Sequence, residues 1–324
     1  MTPARANMLS GSRNNGRIAR HERLKIRSKI ISAIRSWLEG EGFLEVHTPI
    51  LVNTLAPEPY IETFRTTDVH GSGSMYLIPS PELNLKRLLS EGLNRIYQLG
   101  PVFRRGERGD RHLPEFTMLE WYRTDADYKD LMADCEAILQ TTAKAIGLDG
   151  EGVVYGRNVI DIRPPFTRLT VEDAFIRYAG WCPGPWPDPN RFNEDMATKI
   201  EPGLPKDRPI FLMDYPASCA AMARPKPSNP SVAERVELYI GGIELANGFS
   251  ELTDRYELEE RFREWTIARK RLGFRDYPWP QRFISCLDSL KPCAGMSLGV
   301  DRLVMLLTNT SRIDDVIAFT PEVS

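Results

Sequence analysis

Apolar residues recur at helical spacing through Leu24, Ile26, Ile30, Ile31, Ile34, Trp37 and Leu38, and the pattern stops at Gly40 and Gly42. This predicts a long amphipathic helix ended by glycine. The next run, Phe43-Leu44-Glu45-Val46-His47-Thr48-Pro49, reads as a strand stopped by proline. Ser74 to Ile78 predicts another strand, and Ser80-Pro81-Glu82 opens a helix through Leu89, with Ser80 as its expected cap. Glu82 falls in the first turn, where the helix dipole alone accounts for an acid. Arg95–Arg104 and Glu115–Tyr122 predict two strands of a long hairpin, with the arginine-rich segment Arg105 to His112 at its tip. Residues 127–147 read as a helix ended by Gly147, while 211–216 and 232–239 read as strands. Between about 148 and 210 the periodicity fails. A helix is expected near 170–180, and Pro183, Pro185, Pro187 and Pro189 after it suggest a loop-rich insertion. Arg255 to Leu272 is a charged helix, and Gly295 to Leu307 reads as a small-residue turn feeding an apolar helix. Arg302 in that helix needs an anionic partner or a path to solvent.

The 324 residues suffice for a large core, and 42% apolar with 27% charged content fits a globular chain. A formal net charge of −2 argues against a broad nucleic-acid-binding surface. The five cysteines lie far apart without CxxC spacing, which predicts reduced thiols and disfavours a structural zinc site. Residues 1–20 carry Arg5, Arg13, Arg17 and Arg20 and no acid, and read as a flexible basic tail. No signal-peptide core and no membrane-spanning run follows, so a cytoplasmic protein is expected.

The candidate chemistry concentrates in Glu244-Leu245-Ala246-Asn247-Gly248-Phe249-Ser250-Glu251-Leu252. As a strand it puts Asn247, Phe249 and Glu251 on one face. An amide, a ring and an anion there suit a small amine-bearing molecule, and equally an ordinary hairpin whose charges meet water. Glu237 and Glu244 flank the Gly241-Gly242 turn, and paired hard oxygens suit Mg²⁺ beside phosphates.

Together these segments resemble the class II aminoacyl-tRNA synthetase catalytic core, specifically the lysyl-tRNA synthetase branch. The first helix and strand ending at Pro49 resemble motif 1, Phe103-Arg104 with His112 to Glu120 resembles motif 2, and Gly299-Val300-Asp301-Arg302-Leu303 resembles motif 3. Three ordered motifs plus Asn-Gly-Phe-Ser-Glu-Leu are far more specific than any one alone. The resemblance implies an α+β fold in which an antiparallel sheet of about six strands is flanked by helices, forming one catalytic domain over 21–324 that pairs as a homodimer. Motif 1 starts close to the N-terminus, so no anticodon-binding OB-fold and no anticodon-dependent tRNA binding are expected. That points to the truncated paralogues of the branch, which activate (R)-β-lysine and attach it to a lysine of elongation factor P. Ser297 stands where lysyl-tRNA synthetases have glycine and the β-lysine ligases a larger small residue.

The resemblance implies attack of the substrate carboxylate on the α-phosphate of ATP, giving an adenylate and pyrophosphate. It assigns Arg104 to the α-phosphate, Arg302 and His112 to the γ-phosphate, Phe116 to adenine, and Glu237 and Glu244 to Mg²⁺, with Glu244 also lining the ATP site. Glu107 replaces a motif 2 acid displaced by one residue. Glu82 is assigned to the amino group near the substrate's carboxyl end and Asn247 to the carboxylate. Glu120, Tyr122, Phe249 and Glu251 surround the distal ammonium, and Ser297 lies near the α-carbon. The rival readings are a truncated enzyme activating α-lysine and a noncatalytic regulatory paralogue.

Overall fold

The computed structural model describes residues 18–68, 70–71, 73–148 and 152–324. Most of the expected basic tail lies outside the described residues; only its end, from Ile18, is seen leading into the first helix. Helix α1 (Arg20–Gly40) buries Ile26, Ile30, Ala33, Ile34 and Leu38, a stripe at three- and four-residue spacing. Fully burying an isoleucine is worth about 1.5–3 kcal/mol, which offsets the absence of a side-chain N-cap. Helix α2 (Glu82–Ser90) follows, and α3 (Tyr128–Ala145) starts with a reciprocal Asp127–Asp130 capping box. Helices α4 (Arg255–Arg271) and α5 (Val300–Leu307) come late in the chain.

The nine strands of the main sheet are β1 (Leu44–Glu45), β2 (Arg95–Phe103), β3 (Glu115–Thr124), β4 (Thr167–Thr170), β5 (Ile210–Pro216), β6 (Pro225–Lys226), β7 (Asn229–Ile240), β8 (Ile243–Ser250) and β9 (Cys293–Gly299). Their order is β1-β2-β3-β9-β8-β7-β5-β4, with β6 beside β7. The centre is antiparallel as expected, but β1–β2 and β4–β5 pair in parallel, so the sheet is larger than expected and mixed. The fold is α+β. The strand expected over 43–49 shrinks to Leu44–Glu45 plus one bond, from Val46 N–H to the Tyr97 carbonyl at 2.8 Å. It lies at a sheet edge and soon meets Pro49, which cannot donate to a ladder. The small residues before α5 are not a turn. They form β9, in the middle of the sheet between β3 and β8. Ser80 is also not the cap of α2, since the cap position is Pro81.

Alternation divides the sheet into two faces. Leu119 and Trp121 of β3, Val236 and Leu238 of β7, and Met296 and Leu298 of β9 share one apolar cluster with α1, α3 and α5. The other face carries Phe116, Met118, Glu120 and Tyr122 of β3 and the small residues of β9, and it is open. A one-residue slip would exchange these faces, so the core itself fixes which polar side chains meet solvent. Residues 152–210 hold a hairpin, Val153–Tyr155 with Asn158–Ile160, strand β4 and short helical turns. Phe175, Phe192, Ile200 and Leu204 build a separate cluster against β5 and Tyr239. A contact cluster of this kind is invisible to a search for periodicity.

Candidate functional site

On the open face a cavity of about 890 Å³ runs across the middle of the sheet. All the candidate residues except Glu251 line it. The sheet register explains this convergence. Glu120, Ser297, Asn247 and Glu237 stand opposite one another across β3, β9, β8 and β7, and Tyr122, Gly295, Phe249 and Arg235 form the adjacent row. A bulge between Leu238 and Tyr239 sets Tyr239 opposite Glu244, which brings Glu244 onto the same face. Gly295 is required here because a Cβ at that position would lie 2.1 Å from the Tyr122 ring.

One end of the cavity is acidic. Glu120 is 3% exposed, and its carboxylate accepts from Ser80 Oγ at 2.6 Å and Tyr122 OH at 3.2 Å. Ser80 in turn accepts the Glu82 N–H at 3.0 Å, so the residue preceding the cap ties α2 to β3. Burial, then the charge of Glu82, pushes the Glu120 carboxyl up to about 8. Lys86 of α2 is 2% exposed and was not a candidate from sequence. Its ammonium meets Glu82 at 2.6 Å, contacts Glu251, and lies 5.2 Å from the centre of the Phe249 ring. Glu251 lies just past the end of β8, bridged to Ala223; it shares the Lys86 ammonium with the Phe249 ring and does not itself line the cavity. Burial raises the Glu251 carboxyl well above its ordinary range even with Lys86 beside it. The i, i+4 spacing of Glu82 and Lys86 was legible, but the third partner was not.

The other end is basic. Arg104 follows β2, with its guanidinium 5.2 Å from the Phe116 ring centre and 3.8 Å from Glu107. Arg302 of α5 donates to the Glu244 carbonyl at 2.8 Å and lies 3.4 Å from its carboxylate, so it has an anionic partner. It also donates to His112 Nε2 at 2.7 Å. Partial burial and then Arg302 lower the pKa of His112, consistent with an unprotonated Nε2 acceptor. The hairpin tip is held in place: Arg111 donates to the Gly242 carbonyl at 2.7 Å, and Arg108 pairs with Asp314 at 3.0 Å and Glu322 at 2.8 Å. Asp301, 2% exposed, accepts the Thr117 N–H at 2.7 Å and contacts Arg27 of α1. It thereby fixes the start of α5, and with it Arg302, to β3.

Between the ends, Glu237 accepts from Arg235 at 2.7 Å, Tyr239 OH at 2.8 Å and Asn247 Nδ2 at 3.1 Å. Burial and then the charge of Glu237 raise the pKa of Glu244. Two carboxylates with mutual repulsion fit a divalent cation that keeps waters and takes phosphate oxygens; among the described residues no group of three or more ligands gathers. Ser297 Oγ donates to the Asn247 carbonyl at 3.1 Å, leaving the covered Asn247 Oδ1 without a partner among the described residues. Glu58, Lys86, Arg235, Tyr239 and Asp301 were not assigned from sequence: Arg235 and Tyr239 reach Glu237 only two residues away, whereas Glu58, Lys86 and Asp301 are placed by Arg269, Glu251 and Arg27, distant in the chain.

A family model described as tRNA synthetases class II (D, K and N) matches residues 13–323. The chain is 35% identical to an elongation factor P–(R)-β-lysine ligase of Vibrio cholerae, over 91% of this chain and 94% of that protein. It is 34% identical to the protein of that name from Photobacterium profundum, over 94% and 97%. It is also 37% identical to a lysine–tRNA ligase of Pasteurella multocida, over 91% of this chain and 63% of that enzyme. No helix among the described residues is long and apolar enough to cross a membrane.

Proposed function

The chain belongs to the class II tRNA synthetases of the D, K and N type and is an ATP-dependent ligase that forms an aminoacyl-adenylate. On that premise we propose that it activates (R)-β-lysine with ATP and Mg²⁺ and transfers it to a lysine side chain of elongation factor P. The observation carrying this reading is a single cavity with a basic end suited to polyphosphate and a buried acidic end suited to ammonium groups. The substrate carboxylate is already ionised, so attack on the α-phosphate needs no general base and catalysis rests on positioning and charge. Arg104 holds the α-phosphate, Arg302 and the neutral His112 hold the γ-phosphate, Phe116 stacks on adenine, and Glu107 takes its amino group. Glu237 and Glu244 would hold Mg²⁺, which supplies neutralisation of phosphate charge. Asn247 orients the substrate carboxylate, and Glu82 receives the nearby amino group. Glu120, Tyr122 and Phe249 surround the distal ammonium; Glu251 acts behind them through Lys86.

The β-lysine preference draws support from two relatives matched along nearly their whole length and from Ser297, whose side chain stands on the cavity floor between Glu120 and Asn247. Exposed Leu44, Ile50 and Leu51 next to the sheet edge suit a homodimer contact, and the same reading puts the enzyme in the cytoplasm. Amino-acid-dependent exchange of pyrophosphate into ATP tests the proposal, comparing (R)-β-lysine with L-α-lysine. Preference for the β-amino acid is expected. Preference for α-lysine makes the enzyme a lysyl-tRNA synthetase-like ligase activating α-lysine, the reading that the 37% identity to a lysine–tRNA ligase favours.

A further inference from the structure

At the acidic end the wall carboxylates other than Glu58 are already engaged: Glu82 with Lys86, and Glu120 with Ser80 and Tyr122. Glu58 lines the same cavity and a smaller, mostly apolar one beside it, and its side chain has no hydrogen-bond or ion-pair partner among the described residues. It is nevertheless firmly placed. Arg269 of α4, fully buried, donates to the Glu58 carbonyl at 2.7 Å and the Ile61 carbonyl at 2.8 Å, and it contacts the Glu62 carboxylate. Pro57 and Pro59 restrict the backbone on either side of Glu58. Arg104, Arg235 and Lys86 act on this carboxylate only through longer-range charge and none closes a hydrogen bond on it, so the position has room for a closer cation. Burial and then Glu82 push its carboxyl up to about 7, the direction such a group takes. Asn247 Oδ1, covered and unpartnered on the same cavity, is independent evidence that donors are missing there.

We propose that Glu58 is a specificity contact, its carboxylate receiving, beside Glu82, the ammonium group nearer the substrate's carboxyl end. The inference rests on the reading of this cavity as a diamino-acid site. It predicts that the enzyme prefers diamino acids to the analogue lacking that ammonium, and that Glu58 supplies much of the preference. The test compares wild type with Glu58→Gln, using (R)-β-lysine, L-α-lysine and 6-aminohexanoate, which keeps the distal ammonium but has no second one. The substitution preserves shape and leaves the Arg269 contacts to the backbone. In pyrophosphate exchange KM for the preferred diamino acid should rise about 10- to 100-fold, with kcat and the KM for ATP little changed. In calorimetric titration the affinity for 6-aminohexanoate should not move. Equal weakening of diamino and monoamino ligands, or no weakening of either, overturns the role of Glu58. A wild type that supports no exchange overturns the proposed reaction, and the titrations still decide Glu58. A wild type that binds none of the three overturns both.

Discussion

The two ends of the cavity handle charge in opposite ways. At the acidic end, carboxylates are withdrawn from water and matched incompletely by one buried lysine, so ionisation is held back until a cation arrives. At the basic end, Arg302 and Arg111 spend donors on backbone carbonyls, and the guanidiniums stay charged and placed without needing an acid for each. The difference shows why one end responds to pH and the other responds to geometry. Raised carboxyl pKa values report desolvation, whereas an arginine cannot give up its proton in the working range.

Replacing Lys86 with methionine attacks the acidic end most severely. It leaves Glu251 buried without its cation, and about 3–5 kcal/mol of stability should be lost in urea unfolding near pH 8. The loss should shrink as pH falls, because burial makes the Glu251 carboxyl take up a proton more readily than an ordinary glutamate; a pH-independent loss would remove charge from the explanation. Arg302→Ala attacks the basic end. Exchange should fall about 10²–10³-fold while the near-ultraviolet circular dichroism of the folded protein persists, and wild-type activity would exclude Arg302 from the chemistry. Gly295→Ala tests the packing between the rows. Its methyl collides with the Tyr122 ring, so about 1–3 kcal/mol of stability should be lost and the amino-acid KM should rise while the ATP KM stays.

The smallest effect sharpens the comparison through pH. Glu120 and Glu58 titrate near 8 and 7 in the free protein, and an ammonium ligand binds the ionised forms. The amino-acid KM should therefore fall about tenfold between pH 6 and 8, with the ATP KM flat over the same range. Stability of the ligand-free protein runs the other way. Both folded-state values exceed the ordinary 4.5, so these groups stabilise the fold at low pH and that contribution is lost as pH rises through 7 to 8. Thermal unfolding across this window, with and without the amino acid, reads both signs.

The strands bearing Phe116, Glu120, Asn247 and Phe249 were legible because alternation in a half-buried sheet is a local signal. Motif 3 was legible as residues but not as structure. Gly295, Ser297 and Gly299 look like a turn in one dimension, yet their small side chains are what lets β9 lie in the sheet beneath Tyr122. Glu251 shows what spacing leaves out. Its spacing from Asn247 and Phe249 is correct for a strand, but β8 ends at Ser250 and a buried lysine from α2 intervenes.

The sequence by itself determined the helices with apolar stripes, the central strands, the order of the motifs and the chemical types available to the site, because each depends on residues within a few positions of one another. Only the tertiary structure decided which charges meet: Lys86 between Glu82 and Glu251, Asp301 between Arg27 and the Thr117 backbone, and Glu58 on a loop fastened by Arg269. Those pairings bridge elements distant in the chain, and their strength comes from shared burial, which no single segment possesses before the sheet closes.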